Sequence, residues 1–227
     1  MSQTKAQLIS SISGGVGNGT AAAPALTGDD TDTGISFGTN EVLISTNGAE
    51  KAKIDTTGYL RLASGGIQFN GDTAATNALN DYEEGTWEPT LTTAAGDFAS
   101  LTYHGDTGGR YTKIGERVIL NGTVRLTAFS VGSVGGDAVY IGGLPFTTAQ
   151  RTNGDNADDI GPLASTVWTG GASSSKRPTH TQAIHNLNTT LRVWFYNPGS
   201  GTAQSLVGND LGSTINIYIS LVYTTSQ

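Results

Sequence analysis

Between Ile35 and Asn70, apolar residues come in pairs spaced two apart: Val42 with Ile44, Ala52 with Ile54, Leu60 with Leu62, and Ile67 with Phe69. Spacing of two places both members of a pair on one face of a strand. Between the pairs stand Asn47-Gly48 and Asn70-Gly71, dipeptides suited to the positive φ angles of tight hairpin turns, and Gly58 and Gly65-Gly66 allow similar reversals. The stretch is therefore expected to be a meander of short hairpins with a single thin apolar face. Its few apolar side chains cannot offset the conformational entropy lost on ordering about forty residues. The missing interior must come from other copies of the chain, so these eight residues are expected to form the core of an intertwined oligomer, most naturally a trimer.

The rest of the chain agrees with an all-β object. Of 227 residues, 32 are glycine, about twice the usual share, which favours turns and strands over helices. Cysteine is absent, so there is no disulfide framework, thiolate nucleophile or cysteine-ligated zinc. A net charge of −7 argues against nucleic acid as a partner. No apolar run approaches the ~20 residues needed to cross a bilayer, and the N-terminal MSQTKAQLISSISGG lacks the apolar stretch of a secretion signal. Membrane insertion and export by that route are not expected.

Three regions differ in texture. Residues 1–24 read as a polar head and linker, in which Lys5, Leu8, Ile9 and Ile12 line one side of a short helix before SGGVGNGTAAAP breaks it. A lone helix of that length does not persist in water. The head is thus either an attachment peptide that orders on docking or a disordered tail. Residues 25–81 carry the meander. Residues 82–227 are long enough for one all-β domain with its own core. There, Gly115-Glu116 predicts a type II′ hairpin joining Arg110–Ile114 to Arg117–Leu126, and further strands are expected at 138–141, 165–168, 181–187, 191–196 and 214–223. In the last, Ile215, Ile217, Ile219 and Leu221 alternate with Asn216, Tyr218 and Ser220, so one face is apolar while Tyr218 and Val222 are free to touch a neighbouring subunit. Short strands with frequent turns suggest a β-sandwich or jelly-roll-like domain.

At this level a family resemblance becomes visible. DTDTGISFGTNEVLISTNGAEKAKIDTTGYLRL resembles a short β-rich module repeated in the tail fibres of tailed bacteriophages. DYEEGTWEPTL, GRYTKIGERVILNGTV and IGGLPF resemble a domain common at the distal end of such fibres. The resemblance spans roughly Asp30 to Phe146. It implies a homotrimeric virion fibre or spike, held to other virion proteins by its N-terminus through Leu8, Ile9 and Ile12, with a C-terminal β domain that binds a host receptor, commonly a surface glycan. The chain is short for a tail fibre, which leaves room for a head fibre, adaptor or decoration protein. It also lacks the helical self-cleaving chaperone domain that often follows the meander module, so trimerisation is expected to proceed unaided.

Glycan recognition uses flat rings for sugar faces and a few polar groups for hydroxyls. Trp168 precedes the loop TGGASSSKRPTH, which carries Lys176, Arg177 and His180, and Tyr196 with Asn197 opens a second polar loop; these six are the candidate receptor-binding residues. The alternative is that Trp87, Trp168 and Trp194 anchor the core and the loops are connectors. No catalytic constellation is expected. Glu83 and Glu84 are neighbours on a strand and point to opposite faces, and Glu88 adds no defined separation. His104, His180 and His185 stand beside no nucleophile or carboxylate in a recognisable arrangement. Asp30, Asp32, Gly34 and Glu41 imitate a calcium loop but place no glycine at its sixth position, and the acidic loop at Asp155, Asp158 and Asp159 is a second weak candidate. Neither a cofactor nor a metal is expected. Gly15, Gly17 and Gly19 lack the strand, helix and lysine of a phosphate loop and read as linker. A depolymerising tailspike is disfavoured because no rung-like repeat is present.

Overall fold

A computed structural model of the chain describes residues 15–149, 162–163, 181–185, 189–197, 202–212 and 214–225, with the backbone alone for 162–163, 181–185, 191, 193–197 and 202–203. The described chain is all-β. Its sheets are antiparallel, and its helical pieces are three-residue 3-10 turns. It divides into two compact units that part between Asn80 and Asp81.

In the first unit β1 (Gly19–Thr20) pairs with β2 (Ala23–Pro24) as a small hairpin. The strands β3 (Leu26–Thr27), β4 (Gly34–Gly38), β5 (Glu41–Thr46), β6 (Ala49–Ile54) and β7 (Leu60–Leu62) follow one another in a five-stranded meander. Asn47 and Gly48 have φ angles of 52° and 68° and close β5 onto β6 with Thr46 opposite Ala49. Two positive φ angles in a two-residue loop define the turn whose twist matches that of the flanking strands, which is why Asn-Gly stands there.

Two expectations for this unit are corrected. Ile67 to Phe69 is not a strand of the sheet: Ile67 makes a single bridge to Leu79, because Gly65 and Gly66, at φ 95° and 133°, turn the chain away after β7. The stretch before Pro24 is not all linker, since the Thr20 hydroxyl accepts the Ala23 amide (3.1 Å) and folds β1 back on β2. The helix expected around Leu8, Ile9 and Ile12 lies outside the described residues.

The second unit contains β8 (Tyr82–Trp87), β9 (Thr90–Thr93), β10 (Ser100–Tyr103), β11 (Gly108–Ile114), β12 (Arg117–Ser130), β13 (Val139–Gly142), β14 (Pro162–Leu163), β15 (Thr181–His185), β16 (Leu191–Asn197), β17 (Thr202–Ser205) and β18 (Asn216–Thr224). One sheet holds β8, β10, β11, β12 and β18, and the other holds β9 and β13 to β17. Alternate residues of each enter a shared apolar cluster: Val118, Leu120, Val124 and Leu126 from β12, Ile217, Ile219, Leu221 and Tyr223 from β18, Leu91 from β9, and Val139 with Ile141 from β13. Two sheets closing over one core is the sandwich principle. The predicted hairpin forms with Ile114 opposite Arg117, and Gly115 alone takes the positive φ (56°), as a type II′ turn requires. The strands at Tyr82–Trp87, Thr90–Thr93, Ser100–Tyr103 and Thr202–Ser205 were not legible as alternation. The strand expected at 165–168 lies outside the described residues.

Candidate assembly interface

Cross-strand register explains why the described residues of the first unit enclose no apolar interior. Leu26, Ile35, Ile44, Ala52 and Leu62 are opposite one another across the five strands, and Phe37, Val42, Ile54 and Leu60 form the neighbouring row. Directly opposed residues share a face, so nine apolar side chains lie on one side of the meander with no charge among them. Nothing described covers that side: Val42 is 38% exposed, Ile44 46% and Leu60 61%. Among the described residues of this unit the buried side chains are Ser36, Ser45 and Asp55, all polar. Five strands ~4.8 Å apart make an apolar strip about 20 Å across. Exposed apolar surface that is contiguous and rimmed by polar groups marks a contact site.

The other side is mostly polar and largely paired, although the buried Ser45 hydroxyl has no hydrogen-bond partner among the described residues. Ser36, Leu43, Lys53 and Arg61 are opposite one another there, and Lys53 lies 3.8 Å from Glu41 and 3.9 Å from Glu50. The Ser36 hydroxyl donates to the Thr20 carbonyl (2.9 Å) and the Phe37 amide to that of Asn18 (2.7 Å), which ties the β1–β2 hairpin to β4.

The turn between β6 and β7 is set by Asp55. Its carboxylate accepts the Thr57 hydroxyl (2.7 Å), the amides of Thr57 (2.9 Å) and Tyr59 (3.0 Å), and the Arg61 guanidinium. The Thr57 hydroxyl first, then these amides and Arg61, outweigh burial and hold the carboxyl well below the usual range. A depressed folded value means the contribution is full above the unfolded aspartate value of about 3.9 and is lost as pH falls below it. Asp55→Asn is therefore expected to expose the Tyr59–Leu62 amides to faster hydrogen exchange at neutral pH. It should also flatten the loss of protection, measured against the intrinsic exchange rate at each pH, that is expected of the parent chain as pH falls from about 5 to 2. An unaltered acid response in the variant would assign that loss to other carboxyls.

In the second unit the three sequence motifs of the resemblance meet in space. Trp87 of β8 is 4% exposed, and its indole N–H donates to the Asn121 carbonyl of β12 (2.9 Å). The indole lies over Gly109, where a Cβ would sit 2.2 Å from Nε1 and 2.3 Å from the Asn121 oxygen. The Tyr111 ring crosses Gly85 in the same manner and stacks edge-on against Phe146 of IGGLPF, with centroids 5.2 Å apart. Lys113, buried, pairs with Asp81 and stands 5.4 Å from the Phe146 ring centre. Tyr223 closes this corner, its hydroxyl donating to the Phe146 carbonyl (3.1 Å) and accepting the Phe146 amide (3.2 Å); burial pushes the phenol well up. These motif residues build the fold.

The sequence candidates for chemistry fall apart geometrically. Glu83 and Glu84 take opposite faces of β8, the first accepting the Tyr111 hydroxyl and the second that of Tyr82. The Nδ1 of His104 accepts the Asp106 amide (3.1 Å), while the Asp106 carboxylate is held by Arg125 (2.8 Å). In the 28–33 loop the Thr33 hydroxyl lowers the Asp30 pKa, and the hydrogen bond with Asp30 raises that of Asp32; Glu41 turns instead to Lys53. Among the described residues no three acidic or histidine side chains converge as a metal site. Trp168, Lys176, Arg177 and His180, like Asp155, Asp158 and Asp159, lie outside the described residues. Tyr196 and Asn197 end β16, opposite Ala203 and Thr202, and only their backbone is described.

The sheets and the uncovered face define a two-unit all-β chain with a self-sufficient sandwich and a coreless meander. Comparison with protein-family models, curated proteins and solved structures finds no match.

Proposed function

We propose that this chain is a structural fibre protein of a bacteriophage virion, a tail fibre or spike that assembles as a homotrimer and attaches the particle to a host surface glycan. The observation that carries the reading is the uncharged apolar face of the meander. Formed strands with no interior of their own call for a partner present whenever the chain folds, and sister chains meet that condition at fixed stoichiometry. An uncharged strip suits another apolar face and suits neither a glycan nor nucleic acid, so it is assigned to assembly. Receptor contact is assigned to the second unit, through the loop bearing Trp168, Lys176, Arg177 and His180 and the turn after Tyr196 and Asn197. The N-terminal residues around Leu8, Ile9 and Ile12 dock on the virion. No catalysis is assigned.

Light scattering of pure protein is expected to give three chains per particle, and a glycan array probed with that material is expected to show binding that Trp168→Ala or Arg177→Ala abolishes. Trimers that ignore every glycan, combined with labelling on the capsid, would make the protein a non-adhesive head fibre, adaptor or decoration. Shortening of host polysaccharide on incubation would make it a tailspike enzyme.

A further inference from the structure

We propose that Asn70 is a spontaneous modification site: of the described Asn-Gly pairs in this chain, it alone is built to deamidate readily. The reaction needs the glycine amide nitrogen to lose its proton and attack the asparagine Cγ. A nitrogen–carbon bond forms, the side-chain nitrogen leaves as ammonia, and the resulting succinimide takes up water at either carbonyl to give aspartate or isoaspartate. Nothing is oxidised or reduced, and water is the co-reactant. The backbone nitrogen must be free of other bonds, and the peptide must be able to rotate.

The described Asn-Gly pairs differ in these respects. At Asn47 the Gly48 amide donates to the Asp32 carbonyl (3.0 Å) and the Asn47 amide to the Thr33 hydroxyl (3.3 Å). Asn121 and Gly122 sit in mid-strand between β11 and β18, under the Trp87 indole. At Asn18 the carbonyl is held by the Phe37 amide (2.7 Å), and Gly19 backs onto the main chain of Pro24 and Ala25. Asn70 and Gly71 are both exposed at the tip of a turn closed by one bond, from the Asp72 amide to the Phe69 carbonyl (3.1 Å), and a Cβ on Gly71 would meet nothing within 4 Å. Breaking even one backbone hydrogen bond before reaction slows the held pairs on the order of tenfold. The product puts a carboxylate beside Phe69, itself 59% exposed.

The test is ageing of the purified full-length protein at mildly alkaline pH with peptide mapping by mass spectrometry. The one-dalton gain is expected first at Asn70, roughly tenfold ahead of Asn18, Asn47 and Asn121. In a background carrying Asn153→Gln, which removes the Asn-Gly pair outside the described residues, Asn70→Gln should remove the earliest acidic isoform on isoelectric focusing. Conversion of any of the other three as fast as Asn70, or an acidic isoform that persists at the same rate when both glutamines are present, would overturn the assignment.

Discussion

A chain carrying Ile44→Asp together with Leu62→Asp is expected to sediment as single subunits at concentrations where the parent chain sediments as an assembly. Both positions lie in the row that runs from Leu26 to Leu62, on the face with no charge. An unpaired carboxylate forced into an apolar contact costs of order 4 kcal/mol, or about a thousandfold in association, and two copies per chain compound it. In the isolated chain the same substitutions cost much less, since Ile44 is 46% and Leu62 43% exposed there. The variant's second unit, with its own core, should keep the parent's near-ultraviolet circular dichroism. Thr39→Asp, in the exposed turn between β4 and β5, is the matched control and should leave assembly intact. A parent chain that is already a single subunit, with its meander amides protected from exchange, would remove the basis of the fibre proposal.

The second large effect concerns the sandwich. Trp87→Ala is expected to lower its unfolding free energy by about 3 to 5 kcal/mol, the range for removing a buried tryptophan. It also leaves the Asn121 carbonyl without its indole donor. Gly109→Ala should cost a comparable amount for the opposite reason. The new methyl would lie 2.2 Å from the Trp87 nitrogen and 2.3 Å from the Asn121 carbonyl, and the second of these is backbone that cannot swing aside. Combining the two changes is expected to cost less than their sum, because removing the indole relieves one of three clashes, those with the Asn121 oxygen and with the Gly122 Cα at 2.8 Å remaining; a double-mutant cycle in denaturant measures the coupling. Strict additivity would mean that the ring and the glycine are not packed as described.

The meander could be read from its residues because its determinants are local. A two-residue period, Asn47-Gly48 at a hairpin and Gly58 at a reversal each act within a few positions of themselves, and strands followed where they predicted. The reading failed at Ile67 and Phe69, where a spacing of two was present but Gly65 and Gly66 had already diverted the chain. It also failed at Tyr82–Trp87, where Glu83, Glu84 and Gly85 hide the alternation. Gly85 and Gly109 are gaps that Tyr111 and Trp87 fill from adjacent strands, and no window along the chain contains both partners.

The alternation and turn residues alone dictated an all-β chain, a thin apolar face over Val42, Ile44, Ala52, Ile54, Leu60 and Leu62, and a buried face on the last strand, since periodicity and φ preference belong to each residue and its near neighbours. Folding decided which rows those residues join, that Asp55 gathers its turn, and that three separated motifs close on one another around Trp87, Tyr111 and Phe146. Those outcomes depend on register between strands distant in the chain, where a shift of one residue would send every side chain to the other face.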